Sequence, residues 1–67
     1  MADWQDRARI EQSELVDRHG KLCVFLNDPD KTSAIDPVDV ALLRAQAAAM
    51  GCYLEILTMR IARFGGS

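Results

Sequence analysis

The sequence predicts an all-α fold: an antiparallel two-helix hairpin that assembles into a homo-oligomeric helical bundle. Two long segments carry apolar residues at helical spacing, and a cluster of turn-forming residues separates them. With 67 residues, the chain is near the lower limit for one independent domain. Its two cysteines cannot form a disulfide framework, so helix packing and self-association remain as the sources of stability.

The first helix is predicted over about residues 3–26, a segment with one glycine and no proline. Residues 27–36 follow as a loop rich in Asn, Asp, Pro and Ser. The second helix is predicted over about residues 37–64, with Asp36 as its N-cap and Pro37 at its first position. Residues 1–67 therefore form a single domain, and we expect residues 65–67 to be a flexible tail.

A heptad repeat of apolar residues in each helix predicts how the hairpin closes. The repeating rows are Ala8, Leu15 and Leu22 in the first helix and Leu43, Met50, Leu57 and Phe64 in the second. Folding the chain back through its loop predicts three layers, namely Leu22 with Leu43, Leu15 with Met50, and Ala8 with Leu57. The predicted companion rows are Trp4, Glu11, Arg18 and Phe25, and Gln46, Tyr53 and Arg60.

The polar members of these companion rows allow two interpretations. In the first, which we favour, they form a hydrogen-bonded network inside the seam that fixes register and oligomeric state. In the second, some of them line a polar pocket that opens at an oligomer interface. The basic residues bear on the second interpretation, because Arg7 and Arg63 lie at the same open end of the hairpin as Trp4 and Arg60. Arginine forks beside an aromatic plane suit a ligand with phosphate and base, although solvated ion pairs with nearby carboxylates are the favoured explanation from the sequence alone.

The second helix carries more apolar surface than one partner helix can cover. Beyond its seam, it has a further apolar stripe, which we predict to be the oligomer interface. That stripe comprises Leu42, Ala45, Ala49, Cys52 and Ile56. The alternative is a monomer with an exposed, alanine-rich face.

Catalytic and metal-binding patterns are nearly absent from the sequence. His19 and Cys23 are four residues apart and share a helix face, but the chain offers no obvious third ligand and no acid to orient the histidine. The glycines form no phosphate-binding loop. We therefore predict a protein that is not an enzyme and has neither metal nor cofactor.

Composition narrows the class of partner. The formal net charge is −2, with both signs interspersed, which argues against a general DNA- or RNA-binding protein. No uninterrupted apolar run approaches the ~20 residues of a membrane span, and the polar start of the chain is unlike a signal peptide. We expect a location in the cytoplasm, away from membranes, with both cysteines reduced.

The spacing of residues over nearly the whole chain resembles a family of very small phage proteins related to a crAss-like phage protein. The second half carries the more specific pattern, LL-x2-Q-x3-M-x2-Y-x3-L-x2-RI-x2-F, which begins at Leu42 and ends at Phe64. That group is similar in its helical hairpin to phage anti-CBASS and anti-Thoeris sponges. The resemblance implies a homo-oligomer that sequesters a cyclic nucleotide immune signal in the cytoplasm of a host bacterium.

Two functions from different classes follow. The first is a nucleotide sponge whose ligand-binding residues come from a set of six, Trp4, Arg7, Glu11, Arg18, Tyr53 and Arg60. The second is an oligomeric helical adaptor or inhibitor that docks its apolar stripe on a phage or host protein and binds no small molecule.

Overall fold

The computed structural model describes the backbone of residues 3–64 and the side chains of residues 4–64, and every element in this part of the chain is helical. Helix α1 spans Asp3–Leu26, α2 spans Pro29–Thr32, and α3 spans Pro37–Ala62. The prediction of an all-α protein with two long helices is confirmed. The predicted tail at residues 65–67 lies outside the described residues.

The predicted loop at residues 27–36 contains a short helix, α2, which the sequence reasoning missed. Asp28 is its N-cap, and the Asp28 carboxylate accepts a 3.0 Å hydrogen bond from the Asp30 backbone N–H. Pro29 occupies the first helical turn, where its missing N–H has no consequence. The Asp-Pro pair is thus a helix start here, as it is at Asp36-Pro37, although turn-forming residues surround it.

Helix α3 begins as predicted and ends slightly earlier. The Asp36 side chain accepts a 2.8 Å hydrogen bond from the Val38 N–H, and Pro37 begins the helix. At the other end, the Arg63 N–H bonds the Arg60 carbonyl at 3.1 Å, which tightens the last turn, and Ala62 is the last helical residue. Phe64 therefore follows the helix in a turn instead of extending it.

Helices α1 and α3 pack along each other, and their contact forms the core. The buried residues are Ala8, Leu15, Leu26, Ala47 and Leu57, of which Leu57 is 0% exposed. Three of these belong to the predicted apolar rows. Leu22, Leu43, Met50 and Phe64 of the same rows are half-buried.

The predicted companion rows are wrong. In α3 the companion of the Leu43–Leu57 row contains buried Ala47 and half-buried Val40, Leu54 and Ile61, while Gln46, Tyr53 and Arg60 are exposed. In α1 it contains Gln5, Gln12, His19 and buried Leu26, while Trp4 and Arg18 are exposed and Glu11 and Phe25 are half-buried. In each helix the observed companion row lies four residues after the apolar row, whereas the predicted companion row lies three residues after it. The polar network predicted inside the seam therefore does not form there.

The predicted layers are also displaced. Gln12 Nε2 donates a 3.0 Å hydrogen bond to Thr58 Oγ1, and a methyl group at Gly51 would lie 3.5 Å from His19 Nε2. The predicted register would instead place Tyr53 opposite Gln12 and Gln46 opposite His19. Each observed partner lies five positions further along α3. A heptad pattern repeats along each helix and permits more than one alignment, so apolar periodicity alone could not fix the register.

Large apolar residues remain exposed on the outside of the two packed helices. The described chain measures 47 × 15 × 14 Å, and Ile10, Val16, Val24 and Val38 are among its exposed large apolar residues. By length and composition alone, α3 also qualifies as a membrane-spanning helix, which is weak support for such a role. The prediction of no membrane association therefore cannot rest on composition.

Candidate functional site

A cleft lies where the start of α1 meets the end of α3. Its volume is about 430 Å³, and its lining residues are Trp4, Gln5, Arg60, Arg63 and Phe64. The cleft is open to solvent, because Trp4 is 56% exposed and both arginines are exposed. It combines aromatic rings with guanidinium groups in one small volume.

The two aromatic rings are held edge to face. The Trp4 and Phe64 centroids are 4.9 Å apart with an interplanar angle of 78°, a favourable arrangement for the opposed ring quadrupoles. Phe64 reaches Trp4 because the turn after α3 continues the apolar row of Leu43, Met50 and Leu57. The contact fixes one wall of the cleft.

A third arginine, Arg9, contacts the ring of Phe64. The Arg9 guanidinium carbon is 5.3 Å from the Phe64 ring centroid, and Arg9 Nη1 is 3.6 Å from Asp6 Oδ1. The ion pair is exposed and contributes little, whereas the cation–π contact contributes about 0.5–1 kcal/mol at such a site. The guanidinium group of Arg9 therefore packs on Phe64 and helps to hold that ring in place.

Arg60 and Arg63 form no ion pair within residues 4–64. The ion pairs in that range are Arg9–Asp6 and Lys21–Asp17. Two guanidinium groups therefore concentrate positive charge at one end of a chain whose formal net charge is −2. Guanidinium forks bind phosphate oxygens in pairs, and aromatic rings stack on bases. The cleft has the chemistry to hold a small ligand that contains both groups.

The structure brings two of the six predicted ligand-binding residues into this cleft, Trp4 and Arg60. Arg7 is exposed and Glu11 is half-buried, and neither lines the cleft. Arg18 is exposed and Tyr53 is 39% exposed, both at other levels of the helices. Trp4 belongs to the same row of α1 as Glu11 and Arg18, and Arg60 to the same row of α3 as Tyr53. Because Trp4 and Arg60 line one cleft, these two rows lie on the same side of the contact between α1 and α3.

Gln5, Arg63 and Phe64 complete the cleft and were not in the predicted set. The sequence predicts Arg63 at the same end of the hairpin as Trp4 and Arg60, and it predicts Phe64 in the apolar core row. The signal in the sequence is the position of Phe64, which continues the apolar row of α3 beyond the last turn of the helix. An aromatic residue at that position lies beside the start of α1.

A larger groove lies on the opposite flank of the seam. Its volume is about 700 Å³, its surface is mostly apolar, and its lining includes His19, Ala48, Cys52, Leu54 and Met59. His19 Nε2 lies 3.6 Å from Cys23 Sγ, as their shared helix face predicts. Within the described residues, no group of three or more His, Cys, Asp or Glu side chains is placed to hold a metal ion.

The five residues predicted to form the oligomer interface are exposed on α3, and Cys52 among them also lines the groove that contains His19. Leu42 is 62% exposed and Ile56 is 50% exposed, and the three small residues between them, Ala45, Ala49 and Cys52, are also exposed. They form a continuous apolar surface on the outer side of α3.

Comparison with known proteins gives one match. No curated protein and no solved structure matches the chain. A family model described as Sequestin matches residues 2–63, nearly the whole chain. The name indicates a sequestering protein, which agrees with the binding role predicted from the sequence, whereas the crAss-like phage relationship stays a prediction. The chain belongs to the Sequestin family.

Proposed function

We propose that this protein is an antiparallel helical hairpin that self-associates and sequesters a cyclic nucleotide immune signal without cleaving it. In this role it would be a phage protein that evades a host defence such as CBASS. Support for the hairpin comes from the order of contacts, in which Trp4 meets Phe64, Gln12 meets Thr58, and His19 meets Gly51. Support for sequestration comes from the Sequestin family match.

The cleft between Trp4 and Arg60 is the proposed nucleotide site. A base stacks on the exposed face of Trp4, which contacts Phe64 only through an edge-to-face arrangement. The guanidinium groups of Arg60 and Arg63 then pair with phosphate oxygens. The observation that carries this proposal is the presence of the Trp4–Phe64 ring pair in the same cleft as two arginines without ion-pair partners among residues 4–64.

Trp4 is the only tryptophan in the chain, so its fluorescence reports on the cleft directly. We would titrate the protein with cyclic mono-, di- and trinucleotides and follow both Trp4 emission and heat. A base stacked on the indole should change the emission at the same concentration that saturates the heat. Absence of both signals across the panel would contradict the proposal.

Arg60→Ala tests whether the cleft supplies the affinity. Loss of a phosphate-paired guanidinium should weaken binding by about 10-fold or more, since charged hydrogen bonds contribute about 1.5–3 kcal/mol. Arg44→Ala is the matched control, because Arg44 is also exposed on α3 but lies near Asn27, at the other end of the helix. Equal affinity losses in the two variants would point to nonspecific attraction instead of a site.

An interaction module is the second candidate function, and the exposed apolar surface of α3 favours it. In that case the protein would bind a phage or host protein through Leu42 and Ile56, and no nucleotide would change Trp4 emission. Capture of one defined protein partner that Ile56→Asp abolishes, together with a silent nucleotide panel, would favour this candidate over the sponge.

We place the protein in the bacterial cytoplasm as a water-soluble assembly. Helix α3 carries Arg44 and Glu55 within its length, and burial against other helices accounts for its apolar surface as well as a membrane does. Sedimentation of the expressed protein with the membrane fraction after a high-salt wash would contradict this location.

A further inference from the structure

Helix α3 carries a second heptad seam on its outer side. Successive spacings along it are three, four, three, four and three residues, the pattern of a coiled-coil face. Its members are Leu42, Ala45, Ala49, Cys52, Ile56 and Met59, and all six are exposed. Leu42 and Met59, at its two ends, are 62% and 60% exposed. We call this set the outer seam.

The outer seam has the same spacing when it is read in either direction. A two-fold axis between Ala49 and Cys52 therefore superimposes the seam of one copy on that of an antiparallel copy. In that register Ala49 lies opposite the partner's Cys52, Ala45 opposite the partner's Ile56, and Leu42 opposite the partner's Met59. A face with this property is suited to an isologous contact between two copies of one chain.

Side-chain sizes favour the antiparallel register. Ala45 and the partner's Ile56 form a small-against-large layer, and the central layers of alanine and cysteine allow close approach of the two helices. A parallel pair would instead place Ile56 against the partner's Ile56 and Ala45 against the partner's Ala45, which leaves crowded and empty layers in alternation.

Charges are compatible with the same register. The outer seam contains no charged residue, and Glu55 and Arg60 are the charges beside its second half. In the antiparallel pair, residues on the same flank of the two seams face each other, which places Arg60 close to the partner's Asp39 and Glu55 close to the partner's Ala48. A parallel pair would set Glu55 against the partner's Arg60, so side-chain size, not charge, distinguishes the two registers.

The chain also exposes more area than a compact monomer would. It exposes 5010 Å², whereas a compact monomer of 7.5 kDa is expected to expose about 4250 Å². An elongated pair of helices accounts for this excess, and pairing through the outer seam would cover part of the exposed surface.

We propose that two copies pair through the outer seam in this antiparallel register, and that the partner's α3 completes the groove that contains Tyr53 and Arg60. The row of Gln46, Tyr53 and Arg60 lies midway around α3 between the inner seam and the outer seam. It would therefore form the floor of a groove between α1 of one copy and α3 of the other. This inference rests on the proposed self-association and extends it to a defined partner surface.

Cysteine cross-linking tests the register. In a Cys23→Ser, Cys52→Ser background, the Ala45→Cys, Ile56→Cys double variant places the new thiols in one layer of the antiparallel pair. The two positions are eleven residues, or about 16 Å, apart along one helix, too far for a disulfide within a chain. Mild oxidation should therefore convert the double variant to a covalent dimer, detected by non-reducing electrophoresis and mass spectrometry.

The two single variants are the controls. Ala45→Cys alone and Ile56→Cys alone have no thiol opposite them in the antiparallel register and should remain uncross-linked. Cross-linking of either single variant as fast as the double variant would overturn the register, as would a double variant that oxidises to no dimer. Nucleotide titration of the cross-linked dimer is a separate measurement. A dimer that binds no nucleotide would contradict the ligand proposal but not the interface, and nucleotide binding without cross-linking would contradict the interface but not the ligand.

Discussion

Gln12 Nε2 lies 3.0 Å from Thr58 Oγ1, and this exposed hydrogen bond joins the two long helices in one alignment. Thr58 also donates from its hydroxyl to the Leu54 carbonyl at 2.9 Å, so its oxygen is oriented to accept from the glutamine amide. Gln12 is half-buried and Thr58 is exposed, so the pair lies at the edge of the contact between α1 and α3. The pair favours the observed register over the others that apolar periodicity allows.

A double-mutant cycle on Gln12→Ala and Thr58→Ala measures this pairing. We expect a coupling free energy of about 0.5–1.5 kcal/mol in chemical denaturation, the range of a net hydrogen bond. The control cycle pairs Gln12→Ala with Tyr53→Ala, the residue that the predicted register would place opposite Gln12, and should give no measurable coupling. Coupling in the Tyr53 cycle alone would restore the predicted register.

Leu57 should dominate the stability of the hairpin, because it is 0% exposed between the two helices. Leu57→Ala is expected to lower the free energy of unfolding by about 2–5 kcal/mol through lost burial and the cavity it leaves. Val24→Ala, at a position that is 72% exposed in α1, should change it by less than about 0.5 kcal/mol. Equal losses measured by thermal or urea unfolding would place Leu57 outside the core.

The two glycines within helices offer a gain in stability. A methyl group at Gly20 would meet no other atom within 4 Å, and one at Gly51 would make an ordinary contact with the His19 ring at 3.5 Å. Gly20→Ala should therefore raise the free energy of unfolding by up to about 1 kcal/mol through helix propensity. Gly51→Ala should raise it too, and a loss of stability there would mean that His19 packs closer to α3 than described.

Ala49→Glu should divide the assembly into smaller species while helicity persists. The substitution places a charge at the centre of the outer seam, where a second copy would bury it without a partner. Ala62→Glu adds the same charge on the exposed end of α3, beyond the outer seam, and should leave the assembly size unchanged. Light scattering measures the size and circular dichroism the helicity; identical masses for both variants would remove Ala49 from the interface.

The sequence was sufficient to predict the two long helices, because Asp36-Pro37 and the heptad rows are local signals. Asp36 caps α3 as expected, and Ala8, Leu15 and Leu57 are buried as expected. Helix α2 was missed since its Asp28-Pro29 start is embedded among turn-forming residues. Local chemistry thus predicted the elements, including most of their ends.

The companion rows were assigned incorrectly for a physical reason. Gln46, Tyr53 and Arg60 lie three residues after one apolar row, and Ala47, Leu54 and Ile61 lie four residues after it. Either spacing fits a heptad, and burial of the apolar row is the more favourable choice. The same error misplaced the Trp4–Arg60 pair, which was expected inside the seam and lies beside it, next to Phe64.

The measurement that tests the central claim most directly is recovery of bound ligand. The protein would be incubated with the cyclic nucleotide that most strongly changes Trp4 emission, separated from free ligand, heat-denatured, and analysed by mass spectrometry. A sequestering protein should release the nucleotide intact, in a fixed ratio to protein that Arg60→Ala reduces. Release of a cleaved nucleotide would contradict sequestration, and the absence of any retained nucleotide would contradict the ligand itself.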